Sequence, residues 1–287
     1  MNVHLVDGTY ELFRHYYAMP SRLDTDGNEV GALVGVLNSV LLMLRDGATH
    51  IGVATDHVVE SFRNAMYDGY KTGEGIEPAL WRQFHPLEEA LRAMGVTVWA
   101  MVEEEADDAL AAAAHRAYAD KRVKRVFICT PDKDLAQCVR GKTVVQLDRR
   151  KGTIRDEDGV RAKFGVGPES IPDYLGLVGD ASDGFPGVPG WGAKSASVVL
   201  ARYDHLEAIP EDPSLWEVPI RGAVRLAQSL RDHRAEALLF RDLATLRIDA
   251  SVFESVDELC WRGPTDAFAA LCAQLGVPDL AETVSHL

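Results

Sequence analysis

The sequence predicts an α/β domain built on a largely parallel sheet, followed by a smaller helical subdomain. Three observations predict it. Short apolar runs alternate with longer helical patterns, as strand–helix alternation requires. Carboxylates stand where those runs end or where a helix begins. The composition then shifts, with six glycines and two prolines between Gly176 and Gly192 and helical patterns after them.

Taken in order, residues 3–6, 51–55, 96–100, 126–130 and 143–147 read as strands. Residues 30–45, 79–94 and 107–120 read as the intervening helices. The stretch from Asp148 to Ile154 reads as a turn into a short extra strand, and helix dominates from about Asp156. Helices are expected over 193–203, 221–231 and 234–246, whereas 250–287 has no clear pattern. The expected division is a catalytic domain over 1–165, a helical subdomain over 166–250 and a helical extension over 251–287.

Nine carboxylates carry the chemistry: Asp7, Asp56, Glu105, Asp107, Asp108, Asp132, Asp134, Asp180 and Asp183. Strand ends in an α/β sheet converge on the edge where ligands bind. Carboxylates gathered there raise one another's pKa, and divalent cations are the usual relief. Oxygen-only ligation suits Mg²⁺ or Mn²⁺. Two such ions about 3.5–4 Å apart serve in-line phosphodiester displacement.

Each motif also has a plainer reading. Glu105 and Asp108 share a helix face while Asp107 points elsewhere, but acids in a first turn also complement the helix dipole. Asp132 and Asp134 flank Lys133 just past a strand, where Asp132 could equally be an N-cap. The run from Gly187 through Gly190, Gly192, Lys194 and Ser195 has a helix–hairpin–helix pattern. Its amides would face a phosphate at a helix N-terminus, or it is an ordinary turn with a cap. The segment 61–71 interleaves aromatics with Arg63 and Lys71, which suits base stacking. Alternatively it packs Phe62, Met66 and Tyr70 into a core.

The bulk numbers exclude other classes. Hydrophobic content of 47% and charged content of 26% are those of a globular chain. A net charge of −14 lacks the usual basic footprint of a nucleic-acid binder, so any basic contact surface must be local. The four cysteines form no CxxC pair and read as reduced thiols. The scattered histidines show no zinc spacing, and no GxSxG or Walker A pattern occurs. The start of the chain lacks signal-peptide regions, and the apolar stretch 31–44 is too short to span a bilayer. A cytoplasmic, nucleoid-associated monomer without a membrane partner is therefore expected. Asp7-Gly-Thr together with Gly179-Asp-Ala-Ser-Asp resembles an aspartyl-phosphate phosphatase, but Leu5 occupies the nucleophile's position and cannot form an acyl phosphate.

In this order and spacing the motifs resemble the 5′-nuclease (flap endonuclease) family. The likeness extends to the 5′–3′ exonuclease domain of bacterial DNA polymerase I and its free-standing relatives, over about residues 2–250. All nine acidic positions are filled, and Arg14, Phe62, Arg63, Tyr70, Lys71 and Lys133 also fall on family positions. The resemblance implies a PIN-like α/β nuclease domain followed by a helix–three-turn–helix element. It implies two divalent metals, and a potassium ion at the hairpin turn. It implies hydrolysis of DNA near 5′ ends, flaps or single-strand/duplex junctions.

By the same resemblance, Asp7, Asp56, Glu105 and Asp107 hold the first metal. Asp107, Asp132, Asp134 and Asp183 hold or approach the second, and Asp108 and Asp180 act through outer-sphere water. Arg14, Lys71, Asp107 and Asp134 are the implied catalytic residues, with Lys71 neutralising the scissile phosphate. Arg63, Tyr70, Lys71, Arg82, Lys133 and the hairpin residues Gly187, Gly190, Gly192, Lys194 and Ser195 are the implied DNA contacts.

The chain departs from the family pattern at Glu74 (usually Arg), Gly184 (usually Asn) and Trp191 (usually a small aliphatic). Glu74, with Glu77 nearby, predicts weak threading of a single-stranded 5′ arm, and Arg82 is the expected substitute cation. A DNA-binding protein with decayed catalysis and a PIN-type ribonuclease remain the alternatives.

Overall fold

A computed structural model describes residues Met1–Leu287. In chain order its elements are β1 (Asn2–Asp7), α1 (Gly8–Ala18), α2 (Gly31–Arg45), β2 (His50–Asp56), α3 (Phe62–Met66), α4 (Pro78–Trp81) and α5 (Phe84–Ala93). There follow β3 (Thr97–Met101), α6 (Ala106–Ala119), β4 (Arg125–Cys129), β5 (Val144–Asp148) and β6 (Thr153–Arg155). The rest is helical: α7 (Glu157–Phe164), α8 (Ile171–Val178), α9 (Ala193–Tyr203), α10 (Ala223–Asp232), α11 (Arg234–Ala244), α12 (Phe268–Gln274) and α13 (Pro278–Ser285). No helix is long and apolar enough to cross a membrane.

Two compact units share these elements. The first comprises Met1–Val59, Gly73–Thr130 and Arg247–Leu287, and the second Glu60–Thr72 and Pro131–Leu246. Divisions were expected at 165 and 250. Those are divisions along the sequence; in the fold the chain crosses between the two units at four points, because long-range packing gathers segments that are not contiguous in sequence.

In the first unit β1 pairs in parallel with β2 and β4, and β2 with β3. Parallel pairing brings all four carboxyl ends to one edge. The helix α6 packs across these strands. Its run of alanines makes this possible: alanine is the strongest helix former and lets the helix approach closely. Ala109, Ala112 and Ala113 have no exposed surface. The helix α1 was not expected, although Asp7 supplies its cap by accepting from the Tyr10 amide at 2.8 Å. The single helix expected over 79–94 is two, α4 and α5. Between them the buried Gln83 side chain accepts from the Leu33 amide at 3.0 Å and donates to the Ala79 carbonyl at 3.0 Å.

In the second unit β5 and β6 form an antiparallel pair. The helix α7 starts on an Asp156 cap and stops at Gly165 in the left-handed conformation. The helices α8, α9, α10 and α11 enclose a core in which Phe185 stacks on Phe240.

Candidate active site

In the first unit the acids sit at the ends of β1 and β2 and at the start of α6. Asp7 is 6% exposed, and its second oxygen accepts from the Thr130 hydroxyl at 3.0 Å. Asp56 accepts from the Ala106 amide at 2.8 Å, which ties the end of β2 to the first turn of α6. Its own amide donates to the Thr9 hydroxyl at 2.8 Å. Glu105 is the N-cap of α6, and its amide donates to Asp108 Oδ2 at 3.0 Å. Asp108 has no exposed surface, and its other oxygen accepts from the Arg247 amide at 2.8 Å. Both of its oxygens therefore serve the backbone. Asp107, in the same first turn, is half-buried. Arg14 on α1 donates to the buried Glu11 at 2.5 Å, with its Nε buried and unpartnered.

In the second unit Asp134, Asp180 and Asp183 are all buried and offer ligand oxygens within 4.8 Å of one another. Asp132 stands beside them and accepts from the Asp134 amide at 3.0 Å. Two ammoniums face the cluster: Lys133 Nζ lies 2.8 Å from Asp180 and Lys71 Nζ 2.9 Å from Asp183. Asp134 Oδ1 is buried with no donor at all. Burial, followed by the charges of Asp132, Asp183 and Asp180, pushes the Asp134 carboxyl well above its ordinary range, and Lys71 only partly offsets them. Burial alone would lower the Lys133 pKa, but its hydrogen bond and charge pairing with Asp180 raise it.

An all-oxygen cluster with one orphaned oxygen and two ammoniums drawn in fits a hard divalent cation. Asp134, Asp180 and Asp183 would hold one in this unit. In the first unit, Asp7, Asp56, Glu105 and Asp107 retain the acid set expected for another.

Several expected DNA contacts are placed otherwise. Arg63 is 1% exposed and donates to the Leu243 carbonyl at 2.8 Å and the Thr245 carbonyl at 3.2 Å, so it is a strut inside the second unit. Tyr70 is 3% exposed and belongs to that unit's core, which leaves no open ring face for a base. Lys71 instead lies 5.6 Å over its ring. Gly187 is buried, and a Cβ there would lie 2.4 Å from the Gly179 amide nitrogen, so this glycine serves chain packing. The Gly192 amide donates to the Ser195 hydroxyl at 2.9 Å, which takes both groups away from a phosphate. Gly190, Lys194 and Arg82 are exposed, as their expected roles require.

Two departures gain a physical reason. Gly184 has φ +87°, and a Cβ would lie 2.2 Å from the Gly69 carbonyl oxygen, so the asparagine expected there would not fit. Trp191 is buried, donates to the Leu226 carbonyl at 3.2 Å and lies 6.1 Å from the Trp216 ring. Sequence reasoning missed Thr130; a hydroxyl at the end of a strand beside an acidic run was the available signal.

Residues 2–165 match the family model for the 5′–3′ exonuclease N-terminal resolvase-like domain, and residues 166–267 match the model for its C-terminal SAM fold. The chain belongs to the 5′–3′ exonuclease family. It is 33% identical to the 5′–3′ exonuclease of Buchnera aphidicola over 257 residues, which span 88% of this chain and 83% of that one. It is 36% identical to DNA polymerase I of Pseudomonas aeruginosa over 265 residues, 89% of this chain and 28% of the polymerase. The chain thus spans about a third or less of the polymerase relatives it matches.

Among solved structures, zinc-bound T5 5′-exonuclease superposes with a TM-score of 0.65 at 17% identity, covering 100% of this chain and 97% of that one. The catalytic core of Rad2 with DNA substrate gives 0.64 at 14% identity, covering 98% and 90%. These likenesses speak to the fold: a mostly parallel sheet with helices, and a helical second part.

Proposed function

We propose that this member of the family is a metal-dependent 5′–3′ exonuclease and flap endonuclease that hydrolyses DNA phosphodiesters near 5′ ends and junctions. The Asp134–Asp180–Asp183 cluster with its orphaned oxygen carries the reading. Buried carboxylates so close to one another are costly without a cation. The two retained acid sets support one ion on each, Mg²⁺ or Mn²⁺. Bound divalent ions would supply hydroxide at neutral pH and stabilise the leaving oxygen.

The chain's own residues do the rest. Lys71 and Lys133 balance the acidic charge until a phosphate arrives, and Lys71 then neutralises charge on the scissile phosphate. Thr130 and the Tyr10 amide orient Asp7. The Ala106 amide orients Asp56. Glu74, exposed in the segment after Lys71, disfavours a single-stranded phosphate there. Gapped and recessed ends are therefore better substrates than long 5′ flaps. The protein works in the cytoplasm on nucleoid DNA.

The test is cleavage of 5′-labelled blunt, gapped, recessed and flapped DNA, with matched RNA junctions, in Mg²⁺, Mn²⁺ and chelator, alongside Asp134→Ala. Metal-dependent DNA cutting lost in the variant supports the proposal. Binding without cutting in either metal leaves a structural DNA-binding role. Preference for RNA makes the chain a PIN-type ribonuclease.

A further inference from the structure

The irregular segment that carries Lys71 is tied down at both of that residue's peptide groups, and Asn64 makes one of the ties. Asn64 lies on α3 and is half-buried. Its side-chain oxygen accepts from the Ser61 amide at 2.8 Å, and its nitrogen donates to the Lys71 carbonyl at 2.9 Å. These partners fix the orientation of the side-chain amide, because an N–H needs an acceptor and a carbonyl needs a donor. One side chain thus completes the N-terminal cap of α3 and holds the far end of the loop that leaves the helix.

The turn at Asp183 holds Lys71 from the other side. The Lys71 amide donates to the Asp183 carbonyl at 2.9 Å, and its ammonium lies 2.9 Å from the Asp183 carboxylate. Gly184 lets the two stretches meet: with φ +87° and no Cβ, it comes close against the Gly69 carbonyl. The helix α3 is itself anchored by Arg63, through the Leu243 and Thr245 carbonyls. Lys71 is therefore gripped at its amide, its ammonium and its carbonyl. Asp183 supplies the first two grips and Asn64 the third.

A lysine carries its charge on a flexible four-carbon stem. It stabilises developing charge best when held in place beforehand. A misplacement of about 1 Å can cost about 10²-fold in rate. Fixing the backbone on both sides of Lys71 confines its ammonium to a small volume beside Asp183.

We propose that Asn64 is a positioning residue: it sets where the Lys71 ammonium stands against the scissile phosphate, and touches neither DNA nor metal itself. The proposal rests on the reading of Lys71 as the group that neutralises that phosphate. It gives a neutral side chain, outside the acidic set, a part in the reaction.

Asn64→Asp is the discriminating variant. Its carboxylate still accepts from the Ser61 amide, so α3 keeps its cap, but it has no hydrogen to donate to the Lys71 carbonyl. Ser61→Ala is the counterpart. It removes the hydroxyl that accepts from the Arg63 amide and leaves both Asn64 bonds in place. Single-turnover cleavage of gapped DNA in saturating Mg²⁺ is compared in the parent, Asn64→Asp, Lys71→Ala, the double variant and Ser61→Ala, with melting curves for each. Hydrogen exchange at the Lys71 amide is followed without metal, and DNA affinity is measured in chelator.

Asn64→Asp is expected to slow cleavage by about 10-fold while DNA affinity holds, and to speed exchange at the Lys71 amide by a similar factor. Added to Lys71→Ala it should cost less than about 2-fold, because residues that act as a unit are not additive. Ser61→Ala should lower the melting temperature and leave the cleavage rate unchanged.

A loss that persists in full in the Lys71→Ala background would mean that the new charge acts without Lys71, and overturns the proposal. So does unchanged cleavage or unchanged exchange in folded Asn64→Asp. A loss in Lys71→Ala with none in Asn64→Asp sinks this proposal alone and leaves the reading of Lys71 standing. Unchanged cleavage in Lys71→Ala is the failure of that reading, and takes the role of Asn64 with it.

Discussion

In the first unit, Asp7, Asp56 and Asp108 turn oxygens to backbone amides and to one hydroxyl. In the second, Asp180 and Asp183 turn oxygens to lysine ammoniums, and one oxygen of Asp134 meets no donor. The residue type is the same but the compensation differs. Neutral donors fix a carboxylate's direction and keep it charged at little cost. Ammoniums supply opposite charge and can be exchanged for another cation. The first set is therefore pre-oriented by the fold, whereas the second is held in electrostatic balance that a divalent ion would complete.

The substitution that tests this difference most strongly is Asp134→Asn. It should lower metal-dependent cleavage by at least about 10²-fold, since loss of mere outer-shell partners already costs 10–100-fold. It should also raise the metal-free melting temperature by about 2–4 °C, as relief of roughly 1 kcal/mol of like-charge strain would. Asp108→Asn, by contrast, should lower it, because Asp108 accepts backbone amides from both sides. Matching melting shifts for the two variants would erase the distinction.

Arg63→Ala sharpens the contrast between buried struts and DNA contacts. It should destabilise the protein by about 2–4 kcal/mol, because carbonyls of Leu243 and Thr245 lose a charged donor. Denaturant unfolding measures this. Duplex affinity per folded molecule should hold, and a large loss of affinity in a stable variant would return Arg63 to the DNA surface.

The pH dependence follows from the raised Asp134 carboxyl. A carboxyl whose folded pKa lies above its unfolded value contributes stability that is present below the unfolded value, about 3.9, and lost as pH rises through the folded pKa. Added Mg²⁺ should therefore stabilise the protein more at about pH 8 than at about pH 5; at a hundredfold excess over its dissociation constant the ion contributes roughly 2.7 kcal/mol, read as a rise in melting temperature. Equal metal shifts at both pH values would mean that Asp134 is not part of the metal site.

The smallest effect concerns neither set. Glu74→Arg should raise cleavage of a long 5′ flap relative to a gapped end by roughly 5–10-fold, about the worth of one phosphate contact at 0.1 M salt. No change in that ratio would mean that the segment after Lys71 does not meet the 5′ arm.

Much of this protein was determined by its sequence alone. Short apolar runs ending in aspartate announce parallel strands and their ligand-binding edge, because burial on both faces and the handed strand–helix crossover leave few alternatives. The glycines near 187–192 announce a hairpin because positive-φ turns such as those at Gly187 and Gly190 favour that residue. Tertiary structure decided what each charged or aromatic side chain faces. The segment 61–71 reads equally as a DNA-contacting surface or as a face that packs Tyr70 into a core, and both Arg63 and Tyr70 lie inside, because α3 and its following loop pack into the second unit's core. The segment after Arg247 looks like an appendage, yet it belongs to the first unit. Local patterns specify elements because they act over one or two turns of chain. Which charge meets which partner depends on packing between distant segments, and that is settled only when the whole chain has folded.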